Sequence, residues 1–475
     1  MQRTGTTARH PTPAAATRPV PRFPGLPLLG SALDLRRDYL GTLLRAQATG
    51  ADVVRLDAGP PGWRTTLYAV FSPEGVEEVL ARSPDRLVRR TPAYGELRET
   101  IGDGLLTSEG DVWRRQRRMV APAFTHRRLV GDYGEAIARE AAAVVDRWRQ
   151  PAARAEAVDA HGEMMTVTAR VIGWVLFGMD VGDALPRLAR TGPFVNPLLL
   201  RRSVTPHPVP RWVPTPTNRR LAAAMAQMHD IVEGIIAERS RETGRVPVDR
   251  RRANLLDLLL APQPDGAAPA SPLSHAEVAD QVLVFLLAGH ETTATTLACA
   301  LFELARNQRW QEVLHREVDA VVGDRPVTAH DVPSLVQVDH VVRETLRLYP
   351  AAHTIGRRAP DDGEVVRGHR IPPRGTVVVS PWATHRSPVL WPDPGRFDPD
   401  RFAVPRPGGV RHAWFPFGVG PHACIGGQLA VLETTMVLAT VLQAYRLDTD
   451  LEAVPLVPGI SLRPAAPVPV RVSPR

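Results

Sequence analysis

The chain has 475 residues, which is enough to bury a large hydrophobic core, and length alone would suggest two or three domains. Its two cysteines exclude both a disulfide framework and a zinc site built from four cysteines. The formal charge is +8, and all 58 basic residues are arginines spread along the chain. That distribution argues against nucleic-acid binding, although it would suit the docking of an acidic protein.

The first thirty residues contain no apolar run long enough for a secretory signal or a membrane span. No other segment reaches about 18 uninterrupted apolar residues. We therefore predict a flexible tail over residues 1–20 and, in the absence of repeats or a long linker, one domain over residues 21–475. Because no apolar segment is long enough, we expect no membrane span. Cys299 lies in the apolar stretch "TTLACALFELA" and is interpreted as a core residue, and the low cysteine content fits a reducing cytoplasm, so we expect a cytoplasmic protein.

The N-terminal part of the chain contains one predicted hairpin, followed by helices. The segment "DVVRLDAGPPGWRTTLYAVFS" has the β-branched runs and turn residues of paired strands. Helical periodicity dominates from about Pro73. In residues 192–220, the spacing of the prolines forbids one continuous helix and predicts an apolar loop between two helices. A surface loop is predicted at 262–272.

The clearest helix begins after Ser274, which forms the spacing of a capping box with Glu277. This helix runs for about thirty residues and is apolar all round its middle, so it must cross the interior of a large domain. A second helix, "SLVQVDHVVRETLRLYP", ends at Pro350. Short strands follow over "GEVVRGHRIPPRGTVVVSPWATHR", then a final helix after Cys424, and "ISLRPAAPVPVRV" is read as a strand or hairpin. These elements predict a mainly α fold with small β-sheets (α+β).

A polar insertion, "AGHETT", interrupts the apolar middle of the long helix. Gly289 is unfavourable in a helix interior, and the carboxylate of Glu291 is costly there without partners. One interpretation is a local opening of the helix against a flat or gaseous ligand, with Glu291 and Thr292 forming a proton relay. The other is a hydrated kink in which a threonine hydroxyl bonds back to a backbone carbonyl.

Glu344 and Arg347 lie three residues apart on one face of the second helix. Taken alone, this pair is typical of a solvated surface ion pair. A second arginine, Arg401, follows in "FDPDRF". Two arginines on one glutamate would instead form a buried network that fixes the segment before Cys424.

The stretch "FPFGVGPHACIGG" places Cys424 in a glycine-rich loop just before a helix. A helix N-terminus lowers the pKa of a thiol, so the sulfur is a candidate nucleophile or metal ligand. His422 is the only nearby base, and no further catalytic constellation accompanies it. A thiolate ligand to haem iron fits better, because haem supplies the other ligands itself.

These motifs, in this order, resemble those of the cytochrome P450 family from about Pro21 to the C-terminus. The haem-loop signature is matched at four positions, the oxygen-activating motif by "AGHETT", the buried ion-pair motif by "ETLR", and a Trp-x-x-x-Arg element by "WRRQRR". The matching residues of the loop and the last element are Phe417, Gly420, Cys424, Gly426, Trp113 and Arg117.

The resemblance implies the P450 fold, a triangular prism with haem b (iron protoporphyrin IX) between the long central helix and the cysteine loop. Cys424 is then the axial iron ligand, and Glu344, Arg347 and Arg401 are structural. His422 replaces the more usual arginine, which implies a weaker and pH-sensitive contact to a haem propionate, and Arg358 competes with Arg357 for a similar role. The cofactor-binding residues implied are Trp113, Arg117, Arg357, His422, Phe417, Gly418, Gly426, Ala288 and Gly289.

The resemblance also implies a monooxygenase that activates dioxygen, with Thr292 and Glu291 assisting proton delivery. Electrons are expected from NAD(P)H through ferredoxin reductase and a ferredoxin, which would dock near His412 and His422 on a monomeric enzyme. The expected substrate is a mid-sized apolar molecule of bacterial secondary metabolism, either a terpenoid or an aromatic or peptide-derived scaffold. The expected pocket residues are Tyr94, Leu97, Ile101, Leu105, Asn196, Phe285, Leu286, His353, Ile355 and Ile460, with Tyr94, Asn196 and His353 as polar contacts.

Other functions share these motifs. The same haem chemistry would serve oxidative cyclisation or C–N and C–C coupling without oxygen insertion. A peroxide-driven enzyme is disfavoured because Glu291 and Thr292 are both present. A non-enzymatic haem carrier or sensor is the most distant alternative.

Overall fold

The structure is a computed structural model that describes residues 17–243, 253–261, 273–405 and 409–475. The predicted loop at 262–272 and residues 1–16 of the predicted tail lie outside this part of the chain. Residues 17–20 do not behave as a tail, because the Arg18 amide donates to the Gly368 carbonyl at 2.9 Å. The prediction of a tail up to residue 20 is therefore wrong for its last four residues.

Helices form most of the described structure. They are α1 (Ala32–Arg37), α2 (Tyr39–Gln47), α3 (Pro73–Glu77), α4 (Pro92–Ile101), α5 (Gly110–Val120), α6 (His126–Arg128), α7 (Gly134–Ala153), α8 (Ala160–Ile172), α9 (Leu185–Val204), α10 (Pro216–Thr243), α11 (Leu255–Leu260), α12 (His275–Arg306), α13 (Gln308–Val321), α14 (Val336–Leu348), α15 (Pro381–Thr384) and α16 (Gly427–Ala444).

The strands are β1 (Val53–Ala58), β2 (Thr65–Val70), β3 (Ala157–Asp159), β4 (Ile355–Arg358), β5 (Glu364–Val366), β6 (His369–Ile371), β7 (Thr376–Val379), β8 (Tyr445–Asp448), β9 (Leu456–Pro458), β10 (Leu462–Pro464) and β11 (Pro469–Pro474). The largest sheet has the order β1-β2-β7-β4, in which β2 and β7 are parallel and the other pairs antiparallel. The described residues thus form a mainly α fold with small sheets, as predicted.

The C-terminal segment differs from its prediction as one strand or hairpin. It forms two strands that do not pair with each other, since β10 pairs with β9 while β11 lies between β3 and β8. Prolines end β10 at Pro464 and begin β11 at Pro469. Because proline lacks the amide hydrogen that a hairpin ladder needs, each strand pairs with a different sheet.

The largest error concerns residues 192–220. The structure continues α9 through Pro193 and Pro197 to Val204, so only residues 205–215 form a loop. Each internal proline removes one helical hydrogen bond. The buried face of α9 packs against α4, and this tertiary packing outweighs the local penalty.

The long helix α12 begins at the predicted capping box, with reciprocal hydrogen bonds between Ser274 and Glu277. It packs most extensively against α8. Among the helices that the structure describes, two, α12 and α16, are long and apolar enough to span a membrane by length and composition alone. In each, about seven-tenths of the apolar window is buried inside the fold (72% and 67%), which is the environment of a core helix.

Candidate active site

An interior cavity of about 490 Å³ lies between α12 and the loop that precedes α16. Further walls come, among others, from α4, from α9, from the segment leading into β4 and from the turn between β9 and β10. The cavity brings Cys424 together with Glu291 and Thr292, although the cysteine is more than 130 residues from that pair in sequence.

The cysteine loop directs its sulfur into this cavity. The Cys424 amide donates to the Phe417 carbonyl at 2.9 Å, which closes the loop. The Cys424 side chain is exposed to the interior cavity and lies deep within the protein. This burial raises the pKa of the thiol. Hydrogen bonds from the amides of Gly426 and Gly427, together with the charge of Arg117, oppose this rise and favour the thiolate.

Two glycines make the tight course of the loop possible. Gly418 and Gly420 adopt φ values of +68° and +76°, a region that side chains rarely occupy. A Cβ at Gly420 would also lie 2.3 Å from the Leu80 carbonyl oxygen. The loop can therefore lie against the backbone at Leu80 only with glycine at this position.

A group of positively charged and polar side chains lies beside the loop; of its members Arg357 and His422 line the cavity, whereas Arg117 and Trp113 lie behind them and do not. Arg357 is buried, and its Nε has no hydrogen-bond partner among the described residues. Arg117 donates from Nη1 to the Ala423 carbonyl at 3.2 Å, and the His422 ring lies against Trp113 with centroids 4.0 Å apart. Burial, and then the charges of Arg89, Arg357 and Arg117, lower the pKa of His422 to about 3, so the imidazole is neutral.

Arg357 and Arg358 were both candidates for contacting a haem propionate, and the structure places them differently. Arg357 lines the cavity, whereas Arg358 bonds to the Arg90 carbonyl at 3.2 Å and does not line it. The prediction missed Arg89, a buried arginine that lines the cavity and bonds to the carbonyls of Leu105, Leu106 and Ser108. Its only sequence signal was its place in the pair "RR" before α4.

These residues fit a haem group. Among the described residues, no cluster of three or more His, Cys, Asp or Glu could hold a metal ion, so a metal at Cys424 needs a cofactor that brings its own ligands. Arg357 Nε and His422 Nδ1 are buried and have no hydrogen-bond partner in the part of the chain that the structure describes, so they are suited to bind carboxylates such as haem propionates.

The opposite wall is formed by the polar insertion of α12, and the local helix opening predicted there is wrong, whereas the proton relay of Glu291 and Thr292 stays a prediction. The helix stays regular through residues 288–293, so it does not open. Thr292 donates from Oγ1 to the Ala288 carbonyl at 2.7 Å, which is the back-bonding of the alternative interpretation. A Cβ on Gly289 would lie 2.6 Å from Ile172 Cδ1, so the glycine is needed for close packing of α12 against α8.

Glu291 is held by side chains from two other elements. Its Oε2 accepts hydrogen bonds from Asn196 Nδ2 and Ser461 Oγ, both at 2.8 Å. Its Oε1 lies 3.4 Å from Arg463 Nη1. Nothing in the local sequence pattern predicted Ser461 or Arg463 as partners, because they are 170 residues or more from Glu291.

Most of the predicted pocket residues line the cavity, but Leu105 and Leu286 are core residues and do not. The adjacent Leu106 and Leu287 line it instead, because a shift of one residue moves a side chain to a different face of the chain. The predicted residues that do line the cavity are Tyr94, Leu97, Ile101, Asn196, Phe285, His353, Ile355 and Ile460.

The polar contacts predicted for the substrate are partly engaged within the protein. The amide of Asn196 bonds to Glu291 and Ser461, and His353 Nε2 lies 2.7 Å from the Gly459 carbonyl. Burial lowers the pKa of His353 to about 4. Tyr39 also lines the cavity, and sequence reasoning missed it because it comes from the distant helix α2.

The Glu344–Arg347 pair forms a fully buried network and not a solvated surface pair. Arg347 donates from Nε and Nη2 to the two carboxylate oxygens of Glu344 at 2.7 and 2.8 Å. Glu344 also accepts from the Asp398 amide at 2.8 Å, and Arg401 Nε lies 3.5 Å from its Oε1. The network therefore ties α14 to the segment that leads to the cysteine loop.

Comparisons with known proteins agree with this arrangement. The family model described as Cytochrome P450 matches residues 20–466. Cyclooctatin synthase from Streptomyces melanosporofaciens is 35% identical over 93% of this chain and 91% of that protein. Cyclooctat-9-en-7-ol 5-monooxygenase from the same organism is 35% identical over 92% of each chain. Pentalenene oxygenase from Streptomyces avermitilis is 32% identical over 93% of this chain and 92% of that protein.

Proposed function

Because the chain belongs to the cytochrome P450 family, we propose that it is a haem-thiolate monooxygenase that inserts oxygen into an apolar terpenoid. The chain is a P450 oxidoreductase by family, and the proposal concerns its reaction and its substrate. The observation that carries it is the cavity between the Cys424 thiol and the Glu291–Thr292 pair. Mostly apolar side chains line this cavity, which suits an apolar substrate.

We infer that Cys424 holds the haem iron and that Arg357, Arg117 and His422 bind the propionates with Trp113. When bound, haem supplies the iron at which dioxygen is activated with electrons from an external donor. Gly418 and Gly426 keep the loop free of side chains beside the sulfur. Cysteine-loop amides stabilise the thiolate by hydrogen bonds to the sulfur.

Proton transfer in the cavity falls to Thr292 and Glu291. The Thr292 hydroxyl lines the cavity and holds a proton at Oγ1, which rotates from the Ala288 carbonyl towards the reacting oxygen. Glu291, the preceding residue on α12, then takes up a proton from solvent water and passes it to Thr292 Oγ1. A positioned acid and hydroxyl of this kind typically accelerate a reaction by about 10²–10⁴-fold.

The substrate class rests on the cavity walls and on the relatives. Bacterial relatives that modify terpenoids are 32–35% identical to this chain, and one of them is named for pentalenene. A terpenoid is therefore favoured over an aromatic or peptide-derived scaffold. Binding would rest on apolar contacts from side chains such as Leu97, Phe285 and Ile460.

For electron supply we propose a ferredoxin with its NAD(P)H-dependent reductase, acting on a monomeric, cytoplasmic enzyme. The helix α5, whose Arg117 contacts the cysteine loop, also carries the exposed residues Arg114 and Arg118. Arg411 and His412 lie in the segment just before that loop, and Arg411 is exposed. This surface suits an acidic partner, so reduction by the ferredoxin should slow as ionic strength rises.

The test of the proposed reaction is product analysis with purified holoenzyme, ferredoxin, reductase and ¹⁸O₂. Terpene hydrocarbons and singly hydroxylated terpenes are first screened for spectral shifts of the haem. Label in the product supports monooxygenation. An unlabelled cyclised or coupled product points to the alternative reaction, and no substrate-dependent NADPH consumption with intact haem points to a carrier or sensor.

Thr292→Ala tests the proton role directly. This variant should divert most of the electrons to hydrogen peroxide, so that less product forms per NADPH. Thr295→Ala is the matched control, because Thr295 is a buried threonine of α12 that does not line the cavity. Full coupling in Thr292→Ala contradicts the proposed role.

A further inference from the structure

The carboxylate of Glu291 joins three elements that enclose the cavity. Glu291 lies on α12, Asn196 on α9, and Ser461 in the turn between β9 and β10. Asn196 Nδ2 is within 2.8 Å of Glu291 Oε2 and within 2.7 Å of Ser461 Oγ, and the Ser461 amide donates to Asn196 Oδ1 at 3.1 Å. The three side chains therefore form a closed hydrogen-bonded ring, which we call the Asn196 clasp.

The backbone around the clasp is shaped for this close approach. A Cβ placed on Gly459 would lie 2.2 Å from Asn196 Oδ1 and 2.9 Å from its backbone carbon. The Ile460 amide also donates to the Asn196 carbonyl, at 3.4 Å. Because Gly459 has no side chain, α9 can contact the turn between β9 and β10, and the clasp depends on that contact.

The clasp leaves the two carboxylate oxygens of Glu291 in different environments. Oε2 accepts two hydrogen bonds, whereas Oε1 has no hydrogen-bond partner among the described residues and faces Arg463 at 3.4 Å. If α9 moves away from the turn, Oε2 loses the Asn196 amide. The carboxylate then keeps Ser461 and the loose pair with Arg463, and it is free to shift further towards Arg463, because an ion pair tolerates more geometries than a set of directed hydrogen bonds.

The helix α9 also forms one wall of the cavity, to which it contributes Val195, Leu199 and Val204. Its C-terminal half is held by a second contact, since Arg202 Nε donates to Glu96 on α4 at 2.8 Å. The clasp is thus the contact between α9 and the α12 residue to which we assign proton transfer. The position of this wall and the orientation of the acid depend on the same side chain.

We propose that Asn196 is a positioning residue that makes the orientation of Glu291 depend on closure of α9 over the cavity. With α9 closed, Asn196 and Ser461 hold Oε2 beside the cavity and the ion pair between Oε1 and Arg463 stays loose at 3.4 Å; with α9 lifted, the carboxylate moves fully onto Arg463 and is withdrawn. The inference rests on the proposed function, in which Glu291 handles protons. It links occupancy of the cavity to proton delivery through one amide.

The test compares holoenzyme variants by hydrogen–deuterium exchange of α9 and by product formed per NADPH. Asn196→Ala removes the amide, and Gly459→Ala pushes α9 away from the turn while both the Asn196 and the Glu291 side chains remain in the chain. Thr191→Val is the matched control: Thr191 is a buried residue of α9 whose hydroxyl bonds to Arg187 and Gln227, away from the clasp.

We expect α9 to exchange about tenfold faster in Asn196→Ala, because a hydrogen bond to a charged group is lost. Coupling should fall at least threefold in both Asn196→Ala and Gly459→Ala, with an increased solvent isotope effect on turnover, while Thr191→Val keeps wild-type coupling. Unchanged exchange in α9, or faster exchange with wild-type coupling, overturns the proposal. Glu291→Gln distinguishes failure of the proposed function from failure of this inference. If Glu291→Gln stays fully coupled, the proton role of Glu291 in the proposed function fails, even where Asn196→Ala still accelerates hydrogen–deuterium exchange in α9.

Discussion

Replacing Glu344 by alanine should prevent stable folding of the haem-binding region. The Glu344 and Arg347 side chains are both fully buried, and their two hydrogen bonds measure 2.7 and 2.8 Å. Removal of the carboxylate leaves the Arg347 charge without a buried counterion and the Asp398 amide without its acceptor. Loss of one partner of a buried ion pair costs about 3–5 kcal/mol, a large share of the roughly 5–15 kcal/mol that stabilises a typical domain.

The control lies on the same helix. Asp339 and Arg343 of α14 form a partly exposed ion pair at 2.7 Å, and such surface pairs contribute about 0–1 kcal/mol. The assay is urea denaturation followed by tryptophan fluorescence, with the haem content of the purified protein measured in parallel. Glu344→Ala should unfold at much lower urea and retain little haem, whereas Asp339→Ala should match the wild type. Equal urea midpoints and haem contents in the two variants would refute the reasoning.

Three further substitutions test other parts of the structure. Gly289→Ala should lower the free energy of unfolding by about 1–3 kcal/mol, because the added Cβ would crowd Ile172. In the same urea assay, the control Gly234→Ala should raise the free energy of unfolding by about 0.4–1 kcal/mol, because its Cβ would lie in open space. His353 has a depressed pKa of about 4 in the fold against about 6.5 unfolded, so the unfolded chain binds the extra proton and stability is lost as the pH falls from 6.5 towards 4. That loss amounts to about 1.4 kcal/mol at pH 5.5, and the difference between the urea midpoints at pH 7.5 and 5.5 should be smaller in His353→Asn; an equal difference contradicts the assignment. Arg357→Ala should weaken haem retention during gel filtration, because Arg357 Nε is a buried donor without a partner among the described residues, whereas the adjacent Arg358→Ala should not; equal retention in both contradicts the role of Arg357.

The family and the fold class were predictable from the sequence, and both are confirmed. They could be predicted because the motifs around Cys424, Glu291 and Glu344 are short and depend on local spacing. The capping box at Ser274 is equally local, and the structure places the start of α12 there. Such patterns can be recognised in sequence because the residues that form them lie within a few positions of one another.

The errors arose where tertiary contacts decide the outcome. Residues 192–204 are helical despite two prolines, because packing on α4 outweighs a local penalty that sequence reasoning sees alone. Gly289 was interpreted as part of a local opening of α12, but in the structure it makes room for the side chain of Ile172, which is more than 100 residues away. The partners of Glu291 were invisible for the same reason, since Asn196 and Ser461 reach it only in the folded chain.

The assignment of Cys424 as the haem ligand is tested most directly by the spectrum of the reduced protein with carbon monoxide. The wild-type protein should show the red-shifted band of a thiolate-ligated haem, and Cys424→Ala or Cys424→His should lose it. Cys299→Ser is the matched control, because Cys299 is the other cysteine and is buried in α12, where burial raises the pKa of its thiol. It should keep the band. A red-shifted band that persists in Cys424→Ala would contradict the account.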